Sequence, residues 1–122
     1  MAQIRRRDMD GSPGCAVEGT LALIDGKWKG VVLYHLFEGT LRFNELRRKM
    51  PKCTQRMLTN QLRELENDGL VERQVYPQVP PRVEYSLTEL GRSLEPVMSA
   101  LKAWWDDNMG IIPSNDTIVM AQ

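Results

Sequence analysis

The chain has 122 residues, with 16 Lys and Arg against 16 Asp and Glu, 42% apolar and 26% charged. That is the size and make-up of one globular domain, and it excludes wholesale disorder. No apolar run approaches the roughly 18 residues of a membrane span: the longest, from Val31 to Phe37, is interrupted by His35.

Arg5, Arg6 and Arg7 have no apolar stretch behind them, so no secretory signal is expected, and two cysteines make no disulfide framework. The expected setting is the cytoplasm, with reduced thiols. Residues 1–14 read as a basic leader that frays, closing on Gly11, Ser12, Pro13 and Gly14; 15–108 read as the folded domain and 109–122 as a tail. Val17, Leu21 and Ile24 recur at helical steps and predict a first helix over 16–24, stopped by Asp25 and Gly26. A second helix is predicted over 27–37, its Trp28, Val31, Val32, Leu36 and Phe37 forming the centre of the core and Gly39 closing it as a left-handed cap. Leu41 and Arg42 make a very short strand. Phe43, Leu46, Arg47 and Met50 then predict a third helix ended by Pro51.

After a turn from Met50 to Cys53, the Thr54 hydroxyl is a good N-cap for a fourth helix reaching Asp68. Leu58, Leu62 and Leu65 form its inner stripe, while Gln55, Arg56, Thr59, Asn60 and Arg63 face out. Beyond Gly69, Val71, Arg73 and Val75 alternate with Glu72, Gln74 and Tyr76, and after a connection from Pro77 to Arg82, Val83, Tyr85 and Leu87 alternate with Glu84 and Ser86. This is a β-hairpin by period. Thr88 caps a last helix carrying Leu90, Leu94, Val97, Met98, Leu101, Trp104 and Trp105, with a kink or break expected at Pro96. The tail holds a small apolar cluster, Ile118 to Met120.

Charge is segregated along this order. From Leu41 to Arg63 there are seven basic residues, Arg42, Arg47, Arg48, Lys49, Lys52, Arg56 and Arg63, against the single acid Glu45. The remainder is correspondingly acidic, so one face carries a field that attracts a polyanion. Two helices joined by a tight turn, then a hairpin with a proline-rich tip, form a helix-turn-helix with a wing. The predicted fold is mainly α with a small β-hairpin wing. Gln55, Arg56, Thr59, Asn60 and Arg63 supply the donors and acceptors that read base edges in a major groove. Arg42, Asn44, Arg47, Arg48, Lys49, Lys52 and Thr54 supply phosphate contacts, which position without specifying. The wing adds Gln78 and Arg82, the latter suited to a narrow minor groove, with Pro77, Pro80 and Pro81 stiffening the tip.

The runs Gly26-Lys27-Trp28, Arg42-Phe43-Asn44-Glu45-Leu46, Leu58-Thr59-Asn60-Gln61-Leu62-Arg63-Glu64-Leu65 and Pro80-Pro81-Arg82-Val83-Glu84-Tyr85-Ser86-Leu87-Thr88 resemble the HxlR family of bacterial winged helix-turn-helix transcriptional regulators, which are MarR-like. The resemblance covers about Cys15 to Trp105. It implies a homodimer paired through the N- and C-terminal helices, a near-palindromic operator, often beside a gene for detoxifying electrophiles or aldehydes, and a protein found with the nucleoid. Cys53 departs from the pattern, which usually has an apolar residue there; a thiol is a small hydrophobe and fits the turn.

Physics points to the same dimer. Two reading helices must reach successive major grooves about 34–36 Å apart. Val17, Leu21, Ile24, Leu94, Met98, Leu101 and Trp105, with Leu90, Val97 and Trp104, offer more apolar surface than one small winged helix buries. Cys15 is expected just ahead of the first helix, where a helix N-terminus and the arginine leader attract negative charge and Glu18 opposes it. Proteins resembling this one frequently carry a sensor thiol at this place, with Cys53 as a conceivable partner for a bridge. The alternatives are a ligand-gated regulator with an aromatic pocket of Trp28, Tyr34, Trp104 and Trp105, taking a small electrophile or aromatic effector, and a winged-helix interaction module without DNA binding. Catalysis is not expected. His35 reads as a helix residue rather than a general base, and no phosphate loop, nucleophile elbow, paired-Cys metal spacing or cofactor motif occurs.

Overall fold

The computed structural model describes Gly11 and residues 13–110, except for the side chain of Pro13. The leader arginines Arg5 to Arg7 and the cluster Ile118 to Met120 lie outside the described residues. The elements are α1 (Pro13–Leu23), α2 (Lys29–Leu36), β1 (Leu41–Arg42), α3 (Phe43–Lys49), α4 (Gln55–Asn67), β2 (Val71–Tyr76), β3 (Arg82–Leu87), α5 (Glu89–Arg92) and α6 (Glu95–Asn108). The sheet is antiparallel in the order β1-β3-β2. Among the described residues no helix is long and apolar enough to cross a membrane.

Helices α2, α3 and α4 pack around Val32, Leu33, Leu36, Leu46, Met50, Leu58, Leu62 and Leu65, all buried. Leu70, Val71, Tyr85 and Leu87 close this core from the sheet side. The hairpin register pairs Val71 with Leu87 and Tyr76 with Arg82, so the tip spans residues 77–81 and Arg82 belongs to β3 instead of the connection. Gly69 adopts φ +78° after α4, the left-handed turn that lets the chain reverse into β2 without a Cβ penalty.

Several expectations are corrected. Helix α1 starts at Pro13, not Ala16, because a proline suits a first helical turn, where its missing N–H would have had no partner. Cys15 therefore sits within the first turn of α1, not ahead of it. Trp28 occupies the N-cap of α2, whose first residue, Lys29, lies two residues inside the predicted boundary. Val31 and Phe37 are only half-buried and flank the core, while Leu33 takes a central place. Gly39 has φ +149°, a positive φ but not the left-handed helical cap. The last helix is two helices: α5 ends at Arg92, Leu94 caps α6, and Pro96 lies in the first turn of α6. A proline cannot donate to the preceding turn, so the break falls ahead of it.

Leu94 is also corrected. It is 9% exposed and belongs to the chain's own core rather than to an outer face. No residue of α6 is buried. Val97, Leu101 and Trp104 of α6 are exposed, as are Val17 and Leu21 of α1, whereas Ile24, Met98 and Trp105 are half-buried.

Candidate nucleic-acid interface

The turn between α3 and α4 is built from below. Met50 and Cys53 are buried, and the Cys53 N–H donates to the Met50 carbonyl at 2.9 Å. Burial pushes the Cys53 thiol upward from its ordinary value, and the positive charges of Arg47 and Lys27 only partly oppose this. The thiol thus serves as a small apolar plug, as the sequence anticipates. Thr54 then caps α4, its hydroxyl oxygen accepting from the Met57 N–H at 3.1 Å. On the opposite side of the turn, the Arg42 N–H donates to the Glu45 carboxylate at 2.8 Å, closing the start of α3.

This scaffold presents Gln55, Arg56, Asn60 and Arg63 as exposed side chains along one side of α4. Thr59 is half-buried, and its hydroxyl donates to the Gln55 carbonyl at 2.8 Å; it is less outward than the sequence predicts because α4 leans toward the sheet. Met57 is exposed at the same end of the helix. Nothing in the apolar pattern marks it, since an outward methionine breaks the stripe without altering its period. Arg42, Asn44, Arg47, Arg48, Lys49, Lys52 and Thr54 are all exposed.

A cleft of about 670 Å³ separates the start of α3 from the hairpin tip, lined by Arg42, Asn44, Arg48, Gln78, Pro80 and Arg82 among others. It gathers wing and helix residues that lie far apart in sequence. Arg82 is not at the outermost tip. Its guanidinium stacks 4.0 Å above the Tyr76 ring and its Nε lies 3.5 Å from the Glu84 carboxylate. That ion pair is too poorly aligned to count as a hydrogen bond, so Nε lacks a hydrogen-bond partner.

An ion pair that the sequence reading does not foresee ties α4 to α2. Lys29 is 5% exposed, and its Nζ donates to Glu64 Oε1 at 2.8 Å. The hydrogen bond from Lys29 holds the Glu64 carboxyl below its ordinary value. This pair ties α4 to α2 on the flank next to the exposed Arg63. The sequence signal is slight, a lysine between Trp28 and the apolar run that starts at Val31.

Tyr34 borders a cleft of about 200 Å³ with Phe37, Glu38, Glu95, Met98, Ser99 and Lys102. Trp28 is in the core and Trp104 is exposed, and neither they nor Trp105 line that cleft. His35 is half-buried, and burial and the charge of Lys49 hold its imidazole below the ordinary value. Among the described residues no group of acidic, His and Cys side chains is arranged to hold a metal ion. Cys15 and Cys53 are both thiols.

Comparison with known proteins supplies the remaining context. Residues 23–112 match the HxlR-like helix-turn-helix family. The uncharacterized HTH-type transcriptional regulator YybR of Bacillus subtilis (strain 168) is 59% identical over 101 residues, covering 83% of this chain and 81% of YybR. Among solved structures, the redox regulator HypR in its reduced form superposes with TM-score 0.77 at 59% identity, over 79% of this chain and 95% of HypR. The reduced form of the transcriptional regulator YodB from B. subtilis gives TM-score 0.71 at 36% identity, over 80% of this chain and 96% of YodB. These similar proteins are regulators, not enzymes. With the family match spanning the whole helix-turn-helix and wing, the chain belongs to the HxlR-like helix-turn-helix family and is a DNA-binding transcriptional regulator.

Proposed function

We propose that the chain is a sequence-specific operator-binding regulator that docks as a homodimer on a near-palindromic site. The observation that carries this is the capped α4, whose exposed Gln55, Arg56 and Asn60 stand beside an exposed basic turn and the arginine-lined wing cleft. In this reading Gln55, Arg56 and Asn60 face base edges, with Thr59 beside them on the flank toward the sheet and Arg63 at the far end of the helix. Arg42, Asn44, Arg47, Arg48, Lys49, Lys52 and Thr54 hold phosphates, and Gln78 and Arg82 bring the wing onto the adjacent groove. The exposed apolar side chains Val17, Leu21, Val97, Leu101 and Trp104, with the half-buried Ile24, Met98 and Trp105, pair the subunits. Burying them in a two-fold contact sets the spacing of the two reading helices.

Footprinting upstream of the protein's own gene and of the neighbouring gene supplies the operator. Arg56→Ala is then expected to weaken operator binding by about 1–3 kcal/mol and to relax one base position. Lys52→Ala is expected to weaken all duplexes alike and to flatten the dependence on salt by about one contact. An interaction module without DNA binding would respond to neither change.

The signal we propose is chemical modification of Cys15. This thiol is half-buried in the first turn of α1, the helix that carries Val17 and Leu21 of the pairing surface. An electrophile with an activated double bond would form a carbon–sulfur bond with the Cys15 thiolate as its π bond opens and the adjacent carbon takes up a proton; a peroxide would give one oxygen to the sulfur as its O–O bond breaks, leaving a sulfenic acid and water or an alcohol. Either adds bulk or polarity at the subunit contact and changes the spacing of the readers. Support comes from the likeness to HypR, a redox regulator by name. Operator titrations with reduced protein, with protein treated with N-ethylmaleimide and with protein treated with hydrogen peroxide test it. Treatment should change the affinity of the wild type and leave that of Cys15→Ser unchanged. An equal affinity for reduced and treated wild type removes the thiol from the mechanism. Cys53, 2% exposed with its thiol kept protonated by burial, is not expected to respond first.

A further inference from the structure

Strand β2 contains an arginine at a position whose register belongs to the apolar side of the sheet. Arg73 pairs directly with Tyr85 across the hairpin. Directly opposed residues share one sheet face, and on this face Val71, Tyr85 and Leu87 are buried. Arg73 is nevertheless exposed. It looks into a notch of about 290 Å³ between α4 and the sheet, lined by Thr59, Arg63, Glu66, Arg73 and Tyr85. Thr59, Arg63 and Glu66 follow one another at steps of four and three residues along α4, so they form a single row facing the sheet.

Two guanidiniums therefore border one notch. No side-chain hydrogen bond or ion pair is made by Arg63, Arg73 or Glu66 among the described residues. With Glu66 answering one of the two charges, the notch keeps a net positive charge and attracts, over about 10 Å, an anion able to accept from both guanidiniums. The place of the notch identifies the anion. It lies between the helix that enters the major groove and the wing that reaches the neighbouring minor groove. The sugar–phosphate strand dividing those two grooves has to cross the face between these two elements.

We infer that the Arg63–Arg73 notch is the seat of a backbone phosphodiester of that dividing strand, with Arg73 a DNA-contacting residue and Arg63 a backbone contact rather than a base reader. This deepens the operator reading and rests on it for the docking geometry. Glu66 at the rim repels the phosphate and moderates the grip.

Full-length protein is titrated against the operator and against a random duplex of equal length, over a range of salt. Arg73→Ala should weaken both by the same factor, roughly three- to tenfold, and reduce the log–log salt slope by about 0.9. The ratio between the two duplexes should not change. Arg73→Lys should keep most of the affinity, and Glu66→Gln should raise it. Thermal melts check that each variant is folded, and Lys52→Ala serves as the reference phosphate contact. A neutral methylphosphonate placed at successive backbone positions should weaken the wild type at one position between the grooves, and at that position should have no further effect on Arg73→Ala. The inference is overturned if folded Arg73→Ala keeps the wild-type affinity and slope while Lys52→Ala loses both. It is also overturned if Arg73→Ala changes only the ratio between duplexes, as a base reader would. Absence of any operator preference in the wild type would instead sink the reading of α4 as the sequence reader, a separate result, because the notch is scored on the random duplex as well.

Discussion

Replacing Gly91 by alanine is expected to destabilise the fold by about 3 kcal/mol or more and to lower the melting temperature by more than about 10 °C. A Cβ at this position would stand 2.1 Å from the Leu70 carbonyl oxygen, 3.1 Å from its carbon and 3.2 Å from a Leu87 methyl. The obstacle is backbone, so no rotamer change relieves it. It also lies where the chain is most tightly stitched. The Thr88 N–H donates to the same Leu70 carbonyl at 3.1 Å, the Thr88 hydroxyl donates to the Gly69 carbonyl, and the Gly91 N–H donates to the Thr88 hydroxyl oxygen at 3.0 Å. Moving α5 away to make room would break this set and lift Leu87 and Leu94 from the core. Urea denaturation of Gly91→Ala beside wild type measures the loss; a midpoint equal to that of wild type would mean that α5 does not rest on the Leu70 carbonyl as described.

Glu64 and Lys29 should behave unequally although they form one ion pair. Lys29 has 6% of its side chain exposed and Glu64 36%. Glu64→Leu leaves a buried ammonium without its partner and is expected to cost about 3 kcal/mol, in the range for breaking a buried pair. Lys29→Met leaves a carboxylate that can rehydrate and replaces the buried charge by an apolar chain of similar length. Its cost is expected to stay below about 1 kcal/mol at neutral pH. The pH dependence follows from the lowered Glu64 value. A carboxyl depressed in the folded state stabilises the protein above its ordinary value, near pH 4, and that contribution disappears as pH falls through the depressed value. Wild type should therefore lose stability on acidification more steeply than Lys29→Met. Chemical denaturation at pH 7 and at successively lower pH measures both effects; equal costs for the two variants would remove the burial asymmetry as their cause.

Much of α4 was written in the sequence. Thr54 ahead of an amphipathic stretch fixes where α4 begins, and the spacing of Leu58, Leu62 and Leu65 fixes which side is buried. The remaining side must then carry Gln55, Arg56, Asn60 and Arg63. The hairpin was equally legible, because alternation and prolines leave few other choices. Boundaries were harder. Val31, Val32 and Leu33 in succession contain no period that picks out the central one, and Pro13 reads as a breaker until it is seen to start a helix. Pro96 shows the same ambiguity: sequence placed an interruption in the last helix, and only the fold put it at Ser93 and Leu94.

By itself, then, the sequence determined the order of elements, the capped helix, the basic turn and the wing, because helix periodicity, capping and β alternation are local and repeat within a few residues. Tertiary structure alone decided which distant groups meet. The Lys29–Glu64 pair spans 35 residues, the Arg63–Arg73 notch joins a helix to a strand, the Arg82–Tyr76 stack depends on the hairpin register, and Leu94 belongs to the core beyond α5, which is seated on the Leu70 turn and β3. Each of these depends on how elements pack, and a one-dimensional pattern fixes only the side of an element that must be covered, not what covers it.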